Sequence, residues 1–210
     1  MSVYRLKPAF QNLLRPGVRY LYHCGVTANQ VTLVAMLVSL LVAGVLCIPT
    51  LSTKWFLLLP IWMLLRMALN AIDGMLAREF KQKSALGAYL NELSDVIADA
   101  ALLLPFVFLP QVSPVLLIVV IFVAMLSEFS GVLGVMVGAS RRYDGPMGKS
   151  DRALLLGVMA VLWAYGWITP LWLNVCFALM LLLLCVTSVN RIGQGVSESA
   201  NKGKEENEQR

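Results

Sequence analysis

Asn70–Asp95 reads NAIDGMLAREFKQKSALGAYLNELSD. Its first half closes one long apolar run and its second half opens the next, with a basic hairpin containing Arg78, Lys81 and Lys83 between them. At helical spacing, Arg66, Asn70, Asp73 and Ala77 recur at intervals of four, three and four, so they share one face. Gly87, Asn91, Asp95 and Asp99 are each four apart and share another. The short connection makes the two helices antiparallel neighbours, so two faces rich in amides and carboxylates meet within otherwise apolar segments.

The composition says where those segments lie. Of 210 residues, 59% are hydrophobic and only 14% are charged, and the mean hydropathy is +0.75. A soluble domain of this size needs far more charge to cover its surface. The chain therefore reads as an all-α integral membrane protein. Six apolar runs, near 30–48, 55–77, 86–108, 115–137, 151–168 and 170–189, are each close to the ~20 residues that cross a bilayer as a helix. They are continuous rather than alternating, which excludes a barrel. Residues 1–24 mix basic and apolar side chains around Pro16-Gly17 and read as a short amphipathic interfacial segment. Residues 25–195 then form a six-helix transmembrane domain, and 196–210 a polar, disordered tail. The first apolar run lacks a small-residue cleavage pattern after it, so no cleavable signal peptide is expected.

The basic residues give the orientation. With the N-terminus cytoplasmic, 15 of the 17 Lys and Arg fall on the inner side or in the first turn of the fifth span. Lys54 is outside, and Arg66 is within a span. This asymmetry predicts both termini inside. The net charge of +5 then concerns topology and anionic headgroups. No aromatic-rich basic motif points to nucleic acid. The four cysteines have no metal or redox spacing and read as apolar filler. His23, beside Cys24, is a poor zinc site and reads as interfacial. There is no internal repeat, and the polar residues sit towards the cytoplasm, which argues against a transporter.

Ionisable groups inside a membrane are functional candidates. At ~1.5 Å per residue, depth sorts them into two layers. Asp73 and Asp95, with Asn70 and Asn91, form a shallow oxygen-rich pocket reachable from the cytosol. Oxygen ligands of this kind suit a hard divalent cation shared with substrate phosphates. Arg66, Asp99 and Glu128 lie about 18–20 Å deep. They read either as a structural ion cluster or as a proton or ion pathway.

The same residues carry a resemblance. The chain's N-x2-D-G-x2-A-R-x8-G-x3-N-x3-D resembles the signature of the CDP-alcohol phosphotransferase family, D-x2-D-G-x2-A-R-x8-G-x3-D-x3-D, with every spacing kept. The family's four aspartates fall on Asn70, Asp73, Asn91 and Asp95, and its other positions on Gly74, Ala77, Arg78 and Gly87. VTANQVTL (26–33) resembles the family's T-x-N-x-x-T stretch, and GKSDRALLLG (148–157) its entry to the fifth span. Six spans behind an amphipathic helix is also the family's architecture, so the likeness covers roughly 1–190.

This resemblance implies transfer of a substituted phosphate from a CDP-alcohol to a hydroxyl, with release of CMP. It implies Mg²⁺ or Mn²⁺ held by Asn70, Asp73, Asn91 and Asp95, with Asp95 as the base. It places Thr27, Asn29, Thr32, Gly74, Ala77, Arg78 and Gly87 near the nucleotide, with Lys149 and Arg152 close by. A chain of this size looks like the bacterial inner-membrane enzymes that use CDP-diacylglycerol, and the family suggests a homodimer. The acceptor is a polyol or polyol phosphate. Arg141, Arg142, Lys149 and Arg152 read equally as a phosphate site or as ordinary inside-positive charge. Two of four signature aspartates are amides here, which leaves two carboxylates. That departure predicts one metal held more readily than two. It also supports the alternative of a catalytically inactive relative that binds CDP-lipid or assembles with other membrane enzymes. Glu92 points about 100° away from Asn91 and does not replace it.

Overall fold

The computed structural model describes residues 6–208, with side chains for 10–203. Arg5, Lys7, Lys204 and Arg210 of the charge asymmetry lie outside the described side chains. Seven α-helices follow one another, with no strand among the described residues: α1 Leu6–His23, α2 Ala28–Leu46, α3 Leu58–Glu79, α4 Ala85–Leu103, α5 Pro114–Met136, α6 Lys149–Ala164 and α7 Pro170–Glu208. Short 3₁₀ turns at Thr53–Leu57 and Leu104–Phe108 precede α3 and extend α4.

Local chemistry sets these boundaries. Thr27 and Gln30 form a reciprocal capping box at α2, and Ser84 and Ser113 cap α4 and α5 through their hydroxyls. At α6, the carboxylate of Asp151 accepts the N–H of Gly148 (2.9 Å).

Among the described residues, four helices are long and apolar enough to cross a membrane: Ala28–Leu46, Thr53–Glu79, Pro114–Met136 and Pro170–Gly203. The third and fifth expected spans differ for a physical reason. Helix α4 carries Glu92, Asp95 and Asp99, and α6 has only 16 residues. These two helices bring charge to the interior of the bundle. Large apolar side chains such as Leu64, Phe122 and Leu182 stay exposed on the outer faces, as suits a lipid-facing surface.

Helix α5 lies along α7, α2 against α4 and α3, and α3 against α6. The main core holds a run of edge-to-face rings, Phe56–Phe106–Phe177, with centroids 5.4 Å apart at each step. A second cluster, Val18, Ala28, Val31, Met75 and Leu76, ties α1 to α2 and α3. It places the amphipathic helix over the end of the bundle where the hairpin lies.

The segment expected as a disordered tail is helical to Glu208. Its anchors lie in the loop after α5. Glu198 accepts from the backbone and hydroxyl of Ser140 and from Arg142. Ser199 and Lys202 donate to the carbonyls of Val137 and Gly138. The same loop packs against α7 at Gly145, which has φ +117° and leaves no room for a Cβ, since one would lie 2.6 Å from Thr187 Cα.

Between the phenylalanine core and the hairpin lies a buried ion network. Arg66 of α3 and Arg152 of α6 both bind Asp99 of α4. Arg152 also binds Glu128 of α5 (2.9 Å), which in turn takes Arg141 (3.2 Å) and Arg191 of α7 (3.3 Å). Five helices are linked in this way, and the deep charges take the arrangement of a structural cluster. Stripping one partner from a buried ion pair costs about 3–5 kcal/mol, because the other is left uncompensated. Arg152→Met should therefore lower the thermal midpoint in detergent by roughly 10 °C. A change of under about 2 °C would show that the cluster does not hold the bundle together.

Candidate active site

The facing sides of α2, α3 and α4 enclose a cleft of about 640 Å³. Asn29 and Thr32 line it from α2, Asn70, Asp73, Gly74, Ala77 and Arg78 from α3, and Gly87 and Asn91 from α4. The spacing argument thus brings nearly all of the signature to one cavity. Asp73 is 5% exposed, and one of its oxygens accepts the hydroxyl of Thr32 (2.8 Å). Small residues make the wall. A Cβ on Gly87 would sit 2.9 Å from Asn29 Oδ1 and 3.0 Å from the capping Ser84 Oγ. The guanidinium of Arg78 lies back over Gly74, 3.1 Å from where a Cβ would be.

A second cavity, about 390 Å³, opens between α3 and α6, lined by Arg66, Asn70, Tyr143, Lys149 and Ser150 with Met63 and Met67. Asn70 and Ala71 line both cavities, so the two meet there. Asp95 lines neither cavity and lies behind them, in contact with residues that do. Its Oδ1 takes the ammonium of Lys149, Arg66 Nη2 at 3.3 Å and Asn70 Nδ2 at 3.4 Å. Arg66 also donates to the Asp95 carbonyl (3.1 Å). Arg66 thus ties the carboxylate and its backbone to the deep network.

Three expectations shift in detail. Thr27 is an exposed cap and is absent from the cleft lining; its hydroxyl is occupied by the helix end. Lys149 lines the second cavity rather than the first. Arg152 is 2% exposed and committed to Asp99 and Glu128, so it is a member of the deep network. Glu92, which the helix turns away from Asn91, grips Arg141 with both oxygens. Tyr143, under the Arg141 guanidinium at 4.2 Å, and Arg191 were not legible as site-forming residues, because their partners are distant in sequence. Gln82 was also missed; it accepts the backbone N–H of Ala28 (2.7 Å) and pins the hairpin to α2.

The donor set decides what cation could be held. Among the described residues no three His, Cys, Asp or Glu side chains gather. The cleft offers Asn70 and Asp73 from α3 and Asn91 from α4, while Asp95 is engaged by a lysine and an arginine. One carboxylate with amide oxygens fits a hard divalent cation that brings most of its remaining ligands as water or phosphate oxygens. It does not make a closed cage.

Residues 25–149 match the family model of CDP-alcohol phosphatidyltransferases. The inner membrane protein YnbA of Escherichia coli (strain K12) is 47% identical over 194 residues, covering 91% of this chain and 94% of that protein. The inner membrane protein YnjF of the same strain is 34% identical over 104 residues, covering 50% and 47%. Among solved structures, phosphatidylinositol phosphate synthase from Mycobacterium tuberculosis in complex with manganese and citrate superposes with a TM-score of 0.72 at 20% identity, covering 86% of this chain and 87% of that one. The same synthase with CDP-DAG bound gives 0.72 at 19%, covering 86% and 92%. The chain belongs to the CDP-alcohol phosphatidyltransferase family, and its class is that of a phosphotransferase.

Charge at the ligand positions sets metal affinity. Asn70→Asp with Asn91→Asp should tighten Mn²⁺ binding by about tenfold or more, read by the loss of free-ion signal in electron paramagnetic resonance. An unchanged titration would remove these positions from the ligand set.

Proposed function

We propose that this member of the family transfers a phosphatidyl group from CDP-diacylglycerol to a hydroxyl of a polar acceptor, releasing CMP, in a bacterial inner membrane. The observation that carries the reading is that two cavities share Asn70, whose amide contacts Asp95. The larger one suits the nucleotide and its phosphates, for it has small-residue walls, Asp73, and the exposed cations Arg78 and Lys83. The smaller one suits the acceptor. The bound CDP-DAG of the mycobacterial synthase supports the choice of donor.

The chemistry follows from the positions. An acceptor hydroxyl in the second cavity would approach Asp95 past Asn70 and Lys149, and the Asp95 carboxylate would take its proton as the oxygen bonds to phosphorus. The bond that breaks is the one joining that phosphorus to the bridging oxygen of CMP, which leaves with the cytidine phosphate. Lys149 and Arg66 fix the carboxylate from two sides. Arg78 and Lys83 hold the pyrophosphate. A divalent cation, Mg²⁺ or Mn²⁺, bound with Asp73, Asn70 and Asn91, supplies further neutralisation of phosphate charge; the manganese of the mycobacterial synthase supports this choice.

This reading takes six spans, with α4 and α6 crossing inside the charged interior of the bundle and α1 lying along the interface. The cytosolic placement of the site and of both termini rests on the distribution of Lys and Arg. A second reading has one specific support: Asn70 and Asn91 replace two acids, as in a relative that binds CDP-lipid without turning it over.

CMP release from CDP-diacylglycerol by the purified protein in nanodiscs distinguishes them. Release should require Mg²⁺ and an acceptor, and Asp95→Asn should reduce it by about 10²–10⁴-fold. Binding of CDP-lipid without release would establish the inactive reading. Gly87→Ala should raise the donor KM about tenfold, through its clash with Asn29, and leave the acceptor KM unchanged. An equal rise in both would move Gly87 out of the donor cleft.

A further inference from the structure

The cations on the two sides of Asp95 have different partners. On the donor side, Arg78 and Lys83 line the cleft and are exposed. Neither makes an ion pair among the described residues. Two cations line the second cavity, Arg66 and Lys149, and both are matched; so are Arg141, Arg142, Arg152 and Arg191, which line neither of the two cavities. Arg141 gives both forks to Glu92 and Glu128 and its remaining nitrogen to the Arg142 carbonyl. Arg142 is bidentate to Asp144 and also binds Glu198. The Arg142 guanidinium holds the Asp144 carboxyl below its usual range, which marks that pair as tight. Arg152 is buried between Asp99 and Glu128. Arg66 joins Asp95 to Asp99, and Arg191 reaches Glu128. Lys149 is on Asp95.

These six cations face six carboxylates: Asp95, Asp99, Glu92, Glu128, Asp144 and Glu198. Lys202 adds one more cation, at the exposed end beside Glu198. A phosphate monoester entering here would meet no open arginine fork. It would have to break a carboxylate pair, leaving that acid unpaired. The one ammonium facing the second cavity is Lys149, and taking it would strip the partner from the proposed base. Arg66, which also lines that cavity, is held by Asp95 and Asp99, and the remaining polar groups there are neutral: the Asn70 amide, the Tyr143 hydroxyl and the Ser150 hydroxyl. Those groups bond to hydroxyls.

Resting on the transfer reading above, we infer that the acceptor is an uncharged polyhydroxy alcohol and not its phosphorylated form. The basic run 141–152 is then a scaffold that folds the loop after α5 over the site, and the anion-binding capacity of the protein is reserved for the donor. Glu92, which lines the larger cleft, and Glu198 then keep Arg141 and Arg142 closed to phosphate.

The full-length protein in nanodiscs, with CDP-diacylglycerol and Mg²⁺, would be given glycerol and inositol, each alongside its monophosphate, with serine as a zwitterionic control. The product lipid is identified by mass spectrometry. Transfer should go to a free polyol with kcat/KM at least about tenfold above that for its phosphate. Inorganic phosphate should fail to compete with the polyol. Glu92→Gln, which opens the Arg141 fork, should lower the KM for the polyol phosphate or make that compound an inhibitor. Glu198→Gln should do the same through Arg142 if the first variant folds poorly. Preference for a polyol phosphate or for serine would overturn the inference and leave phosphatidyl transfer standing. Failure of every acceptor, with CDP-lipid still bound, would overturn both.

Discussion

The placing of the site depends on Asp99 and Glu128 being neutralised inside the bundle. A carboxylate in that environment is costly unless it is paired and hydrogen-bonded. Here each carboxylate binds more than one guanidinium, from helices that are far apart in sequence. The pairing obliges α3, α4, α5, α6 and α7 to present specific residues at one depth. Arg66 then transmits that constraint upwards by one helical turn, to the carbonyl and carboxylate of Asp95. The shallow site inherits its geometry from the deep one.

Much of this was legible in the sequence because helices are periodic. Four residues on α3 and four on α4 share faces by arithmetic alone, and the short hairpin forces the faces together. The shared cleft and the Arg66–Asp99 pair followed from that. What was not legible depended on tertiary partners. Arg152 lies three residues after Lys149 and looked like part of the same basic patch. A helix turns those two side chains to different depths, and only packing decides that one meets Asp95 and the other Asp99. Thr27 fitted a motif position, but its hydroxyl is spent on capping α2. The segment after 195 has the composition of a solvated tail, yet Glu198, Ser199 and Lys202 find partners in a loop about 60 residues earlier in the chain. No local pattern signals such contacts.

The two asparagines also change meaning in context. With four acids, the site would hold a large negative charge and need two cations to offset it. With Asn70 and Asn91, the carboxylates that remain are Asp73 and Asp95, and they are treated differently. Asp73 accepts a neutral hydroxyl and faces the cleft. Asp95 carries a lysine and an arginine. One carboxylate is thus left for a divalent cation, and the other already has its positive charge from the chain. The substitutions and the Lys149 contact compensate one another, which is the pattern expected of a site adjusted for use rather than one decaying piecemeal.

That compensation bears on how the two substrates are told apart. In the proposed transfer, the donor and acceptor cavities share one amide, Asn70, and lie near a region dense with arginine. If those arginines were open, an anionic donor would have competing sites beside the productive one. Closing the acceptor side with matched carboxylates removes the wrong site without removing the positive charge that holds the loop in place. Specificity here is the difference between two affinities. On the proposed reading that difference comes from occupying guanidinium groups with the chain's own acids, while Arg78 and Lys83, exposed in the larger cleft, stay open to the donor's phosphates.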